Sequence, residues 1–202
     1  MMPPALHRWF VATAAPLSPR LASDIEAMGP VWFPDRPDHG PVAFLARAIV
    51  GQQISAAAAR GIWSRIEAQA AARGATLGEF LSRADEPALR GCGLSGNKAK
   101  AVLHITAADS RGAFAGLGGI PHDSRSESLC AIWGIGQWTC DMMALFYYRE
   151  PDIWPEGDLA VQRVFRSYIG RRKPARAAAR FAPHRSLLAL YMWRLVGGLP
   201  AK

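Results

Sequence analysis

Paired cysteines, long apolar runs and strand-like alternation are all missing from this sequence. The three cysteines, Cys92, Cys130 and Cys140, make no CxxC pair and have no histidine at zinc-like spacing. A cysteine-ligated iron–sulfur cluster needs four thiolates and is excluded within the chain. Cys130 and Cys140 lie on apolar helical faces and read as small buried hydrophobes. No segment is long enough to span a bilayer, and the apolar run after His7 and Arg8 is too short and interrupted for a signal sequence. These absences point to a soluble protein of a reducing, cytoplasmic compartment. There is no repeat of fixed period and no low-complexity tract beyond alanine-rich helix surface.

What the chain does have is helical periodicity and positive charge. Half of its 202 residues are hydrophobic, enough for a substantial core in one domain of one or two lobes. The net charge of +8 favours a polyanionic partner, although 20 arginines against four lysines, with abundant Ala and Gly, also fit a GC-rich gene. Phe44, Leu45, Ala48, Ile49, Ile54, Ala58, Ile62 and Ile66 recur at helical spacing and break near Gly51, which predicts helices over 42–52 and 55–73. Ser95 caps a third helix running to about residue 109. Further helices are expected over 126–133, 137–148, 159–169, 175–181 and 185–197, and a short extended piece over 29–33. The fold class is all-α.

Within this pattern, Leu129-Cys130-Ala131-Ile132-Trp133-Gly134-Ile135-Gly136-Gln137-Trp138-Thr139 reads as helix, tight hairpin, helix. Gly134 and Gly136 let the chain turn without a Cβ clash and expose successive N–H groups beside the helix start at Gln137. Such a nest accepts a phosphate oxygen without a basic side chain. A ligand-free connection between two helices uses the same glycines. Ile135 is expected to point back between the helices. Asp158 follows Pro155-Glu156-Gly157. It suits a helix N-cap, and it also suits delivery of one negative charge to whatever the nest holds. Glu156 is the rival carboxylate, in a loop expected to be exposed.

Several stretches in one order then resemble the helix–hairpin–helix DNA glycosylases. They are Ala48-Ile49-Val50-Gly51-Gln52-Gln53-Ile54-Ser55, Gly93-Leu94-Ser95 with Lys98-Ala99, the hairpin, residues 139–146, residues 155–158, and Arg185-Ser186 through Trp193. The nearest likeness is to the alkylated-base, 3-methyladenine branch, from about residue 40 to the C-terminus. The resemblance implies a two-lobed, all-α helical bundle over 1–202, with the motif at about 126–147 and the catalytic aspartate in the interlobe cleft. It leaves residues 1–40 partly outside the match, too few for the N-terminal β-rich domain of a well-known bacterial member. The implied activity is monofunctional hydrolysis of the N-glycosidic bond of flipped-out alkylated purines in base-excision repair. Glycosylases for deaminated or oxidised bases share these features, as does a non-catalytic hairpin protein that only grips DNA.

By the same resemblance Asp158 is catalytic, stabilising positive charge at the sugar C1′ and activating water. Trp138 stands where strand-cutting members carry a lysine, so no Schiff base is expected. Trp138, Trp133, Tyr147, Trp193 and Phe44 are candidates for an aromatic pocket that stacks a cationic base, with His184 where relatives often have an aromatic. Gln53 matches the side chain that fills the vacated stack, with Gln52 a near rival. Gly134, Ile135, Gly136, Gln137 and Thr139 are expected DNA contacts, joined by Lys98, Lys100, Arg163 and Arg166. No organic cofactor is expected, and the carbonyls of Gly134 and Gly136 would hold a structural Na+ or K+. The expected partner is double-stranded DNA with damaged bases. The expected state is a monomer, cytoplasmic and nucleoid-associated if bacterial. One departure is Gly157, which replaces the first acidic residue of the family's run and leaves the carboxylate role to Asp158 alone.

Overall fold

The computed structural model describes residues 2–34 and 39–197, and among them it contains helices and no strand. In chain order these are α1 (Pro4–Ala14), α2 (Pro19–Met28), α3 (Pro41–Gly51), α4 (Ala56–Ala72), α5 (Leu77–Arg83) and α6 (Glu86–Gly91). They are followed by α7 (Gly96–Ser110), α8 (His122–Cys130), α9 (Gln137–Met142), α10 (Leu159–Ile169), α11 (Pro174–Ala178) and α12 (Arg185–Leu195). A π-helical turn, Met143–Tyr147, continues α9 and replaces the longer helix expected to residue 148. Residues 29–33 are irregular chain, since no strand exists among the described residues to complete a ladder with them.

Six of the twelve α-helices among the described residues start from short polar side chains that accept an otherwise unpaired N–H. Ser55 accepts from Ala58, Asp85 from Ala88, Ser95 from Lys98 and Asp158 from Val161. Helices α1, α2 and α6 carry proline in the first turn, where the missing N–H costs nothing. Helix α5 has only seven residues but opens on a complete capping box, Thr76 with Glu79. These four helices lie outside the expected set; α5 and α6 are only seven and six residues long, while α2 buries Leu21, Ala22 and Ile25 on one face.

The chain divides into two compact units, Pro37–Met143 and a discontinuous one of Met1–Arg36 with Ala144–Lys202. In the first unit α3, α5 and α6 pack against α7. Leu45, Ile49, Ile66, Leu81, Leu89 and Ile105 are fully buried there. The second unit closes around Phe10, Phe165, Phe181 and Tyr191, with Phe10 stacked on Phe181 at 5.4 Å. The Tyr191 hydroxyl donates to the Gly29 carbonyl (3.2 Å) and pairs with His7 Nδ1 (2.7 Å), which satisfies a polar group inside the core.

In this second unit α12 anchors the segment that leads to Asp158. Ser186 is fully buried; its hydroxyl accepts from Ile153 N–H (2.9 Å) and donates to the Glu150 carbonyl (2.6 Å). Beside it Arg185 grips Asp152 through Nε–Oδ1 (2.7 Å) and Nη2–Oδ2 (2.9 Å). Burial opposes ionisation of Asp152, yet the hydrogen bonds and charge of Arg185 prevail and hold its pKa below the ordinary carboxylate value. A lowered folded-state pKa stabilises above the ordinary range, near pH 4, and is lost as pH falls through the lowered value. Ser186→Ala leaves two backbone groups without their partner and is expected to cost roughly 1–3 kcal/mol in urea unfolding. Asp152→Asn is expected to flatten the acid limb of stability against pH, read from denaturant midpoints across that window.

Candidate functional site

Asp158 is buried, 8% exposed, and heads α10. Its Oδ1 accepts from Val161 N–H at 2.9 Å, and its own N–H donates to the Pro155 carbonyl at 3.1 Å. Gln162 Nε2 donates to the same carbonyl at 3.4 Å. The carboxylate is therefore fixed in orientation by the turn before it and the helix after it. Trp154 is buried behind the turn with its ring 5.1 Å from Phe165, while Glu156 is exposed as expected of a loop carboxylate. Leu159, which no motif singles out, stands 85% exposed next to Asp158. Only an apolar residue at a first helical position hints at it.

The candidate aromatic residues fall into both units. Tyr147, His184 and Trp193 share the unit of Asp158. Tyr147 lies edge-on to Tyr148 at 5.1 Å, His184 edge-on to Trp9 at 5.7 Å, and Trp193 tilts against Phe146 at 5.3 Å. Phe44, Trp133 and Trp138 belong to the other unit, where Phe44 and Trp138 are half-buried. Trp133 is 43% exposed, with His104 at 5.6 Å and the Lys100 ammonium 4.7 Å from its ring. Both partners come from one face of α7, and the cation holds the indole at the surface.

The hairpin separates the roles of its two glycines. Gly134 has φ +92°, and a Cβ there would sit 2.4 Å from the Ala101 Cβ of α7. Gly136 is extended, with φ −117° and open space where a Cβ would be. The turn therefore requires glycine at 134 and not at 136, although the sequence predicts both. Ile135 is buried between them as expected. Among the described residues no acceptor is paired with the N–H groups of Gly134, Gly136 and Gln137. These are three of the donors the expected nest would use; the Ile135 N–H between them is taken by the Ile132 carbonyl at 3.1 Å, so the run of successive donors is interrupted. The Gln137 amide side chain folds back to Asp141 Oδ1 (2.8 Å), which also holds His122 Nε2 (3.2 Å).

Like Gln137, the expected DNA contacts Gln52, Thr139 and Lys98 have side chains engaged within the protein. Thr139 is 1% exposed and its hydroxyl accepts from Gln52 Nε2 at 3.2 Å. Lys98 turns inward and donates to the carbonyls of Val50 (2.8 Å) and Gln52 (2.7 Å), because the end of α3 leaves carbonyls that need a donor. Burial lowers its pKa from the ordinary lysine value. Lys100, Arg163, Arg166 and Gln53 remain exposed. Cys140 is buried as expected, but Cys130 is exposed, with its sulfur 3.4 Å from that of Cys140. Of the two carbonyls expected to hold a cation, only that of Gly136 has donors among the described residues. The Gly136 oxygen already accepts from Thr139 N–H (2.9 Å) and Cys140 N–H (3.1 Å).

The described residues thus form an all-helical fold with a glycine hairpin in one unit and a buried carboxylate capping α10 in the other; its class is shown by the proteins it resembles. No protein-family model matches the chain. A crystal structure of DNA-3-methyladenine glycosidase from Bacillus halodurans is 31% identical, covering 93% of this chain and 88% of that one, with a TM-score of 0.75. A Schizosaccharomyces pombe 3-methyladenine DNA glycosylase in complex with abasic DNA matches 93% and 96% of the two chains at a TM-score of 0.78; at 22% identity this likeness concerns the fold. The DNA-3-methyladenine glycosylase 1 of the same yeast is 27% identical over 164 residues, 76% of this chain and 72% of its own length. The chain belongs to the helix–hairpin–helix DNA glycosylases, in their 3-methyladenine branch.

The two glycines are separable by mutation. Gly134→Ala combines a left-handed φ with a clash against α7 and is expected to cost roughly 2–5 kcal/mol in chemical unfolding. Gly136→Ala is expected to shift the melting temperature by only about one or two degrees. Any loss of duplex affinity in that variant then reports on close approach to a phosphate.

Proposed function

We propose that this chain is a monofunctional DNA glycosylase, acting as a monomer, that excises alkylated purines of the 3-methyladenine type from duplex DNA. The observation that carries this is Asp158, a buried carboxylate clamped at the head of α10, in a chain 31% identical to a DNA-3-methyladenine glycosidase over 93% of its length. A purine methylated at N3 or N7 is already cationic. Its bond to C1′ breaks with the electron pair leaving on the base, so the base departs neutral without a strong general acid. Positive charge builds on C1′, and a fixed carboxylate stabilises it without having to reorganise. A water oxygen then bonds to C1′ and its proton passes to Asp158, leaving an abasic site. The indole at position 138 has no amine for a Schiff base, which supports hydrolysis without strand cleavage.

Binding is supported by the hairpin nest and by charge. Residues 159–197 contain nine Arg and Lys and no Asp or Glu. A duplex hides its glycosidic bonds, so the target nucleotide must leave the stack, and Gln53 is the side chain we assign to the vacated space. The test is to incubate the protein with methylated duplex DNA and identify released bases by chromatography. The parent is expected to release 3-methyladenine. Asparagine caps a helix about as well as aspartate, so Asp158→Asn should keep its melting temperature within a few degrees while losing at least 10²–10³-fold in rate. No release by the parent, or near-normal turnover by Asp158→Asn, would sink the assignment.

A further inference from the structure

Gln53 is a backbone exception in the unit Pro37–Met143. Its φ is +56°, a left-handed conformation that a residue with a Cβ adopts only when its surroundings hold it there. It stands exposed in the short turn between α3 and α4, and the residues just before it are fastened from two other helices. The Lys98 ammonium, in the first turn of α7, donates to the carbonyls of Val50 and Gln52 at 2.8 and 2.7 Å. The Gln52 amide donates to Thr139 Oγ1 at 3.2 Å, in the first turn of the helix that follows the hairpin. One turn is thus tied both to α7 and to the hairpin helix, and its outermost side chain is left exposed in a strained conformation.

We propose that Lys98 is a positioning residue for base extrusion. With the Gln52–Thr139 bond, it holds the Gln53 turn rigid so that Gln53 can be driven into the base stack and keep the nucleotide out. This deepens the function proposed above and rests on it. The physical reason is preorganisation: a wedge must work against stacking and pairing, and a turn free to relax from its left-handed state yields instead of the duplex. Lys98 does this with two of its three N–H donors directed at protein carbonyls, without contact to the reacting atoms.

The test compares the parent with Lys98→Met, which keeps the apolar stem and removes the donors, and with Lys98→Arg, which keeps charge and donors. Single-turnover base release is measured from a lesion in duplex DNA and from the same lesion in a single strand, where no extrusion is needed. Lys98→Met is expected to lower the duplex rate relative to the single-strand rate about tenfold, and Lys98→Arg to recover much of that ratio. In parallel, 2-aminopurine placed opposite an abasic-site analogue reports the wedge without catalysis. Its fluorescence gain on binding is expected to shrink in Lys98→Met. An equal loss on both substrates, or an unchanged 2-aminopurine response, overturns the positioning role. A parent that gives the 2-aminopurine response but releases no base overturns excision and leaves that role standing. Should Lys98→Met fail to fold, Thr139→Val removes the other tie and is held to the same ratio and the same fluorescence response.

Discussion

The contact between Gly134 and Ala101 sets the rest of the unit Pro37–Met143. With no Cβ at 134 the hairpin lies directly on α7, and a methyl group there would overlap Ala101. That approach makes α7 the common support of three features. Ala101 fixes the hairpin, Lys98 fixes the end of α3 and the Gln53 turn, and Lys100 with His104 carries the exposed Trp133. A close-packed interior transmits position because it has few low-energy alternatives. Thus the donor nest and the Gln53 turn are held by the same helix.

In the other unit the corresponding device is the cap of α10. Whether Asp158 is structural or chemical is not a choice the geometry forces, because the two roles use the same fixed carboxylate. Capping gives it an orientation, and its burial limits how far water can screen its charge. The pairs Arg185–Asp152 and Ser186 with Glu150 and Ile153 then fasten the chain just upstream. A loop carrying a reactive group gains precision when it is tied to a buried helix, and α12 supplies one.

Much of the fold was readable in advance. The stripes of α3 and α4 follow from side-chain spacing, since each must turn an apolar face to the core, and the starts of α7 and α10 follow from the caps Ser95 and Asp158. Helices α1, α2, α5 and α6 were not anticipated. Their starts rest on a proline in the first turn of α1, α2 and α6, joined by the Ser18 and Asp85 caps of α2 and α6, and on the capping box of α5. At the site, the buried Ile135, the cap at Asp158 and the exposure of Glu156 agree with the sequence. Lys98 does not, since a lysine at a helix start looks like a surface charge until the carbonyls of a helix far away in sequence are placed beside it. Cys130 similarly lies on a face that the hairpin leaves open.

The amino-acid sequence by itself determined the helical class, the hairpin, the carboxylate at the head of α10 and the family resemblance. These are local or ordered features, written in spacing and in the few residue types that cap or turn a chain. Tertiary structure alone decided that the turn needs glycine at 134 and tolerates a side chain at 136. It also decided that Trp133 lies against Lys100 and His104 and that Lys98 binds the carbonyls of Val50 and Gln52 instead of standing free. Each of these depends on which atoms arrive from a distant segment, and distances between segments are not encoded in the periodicity of either one.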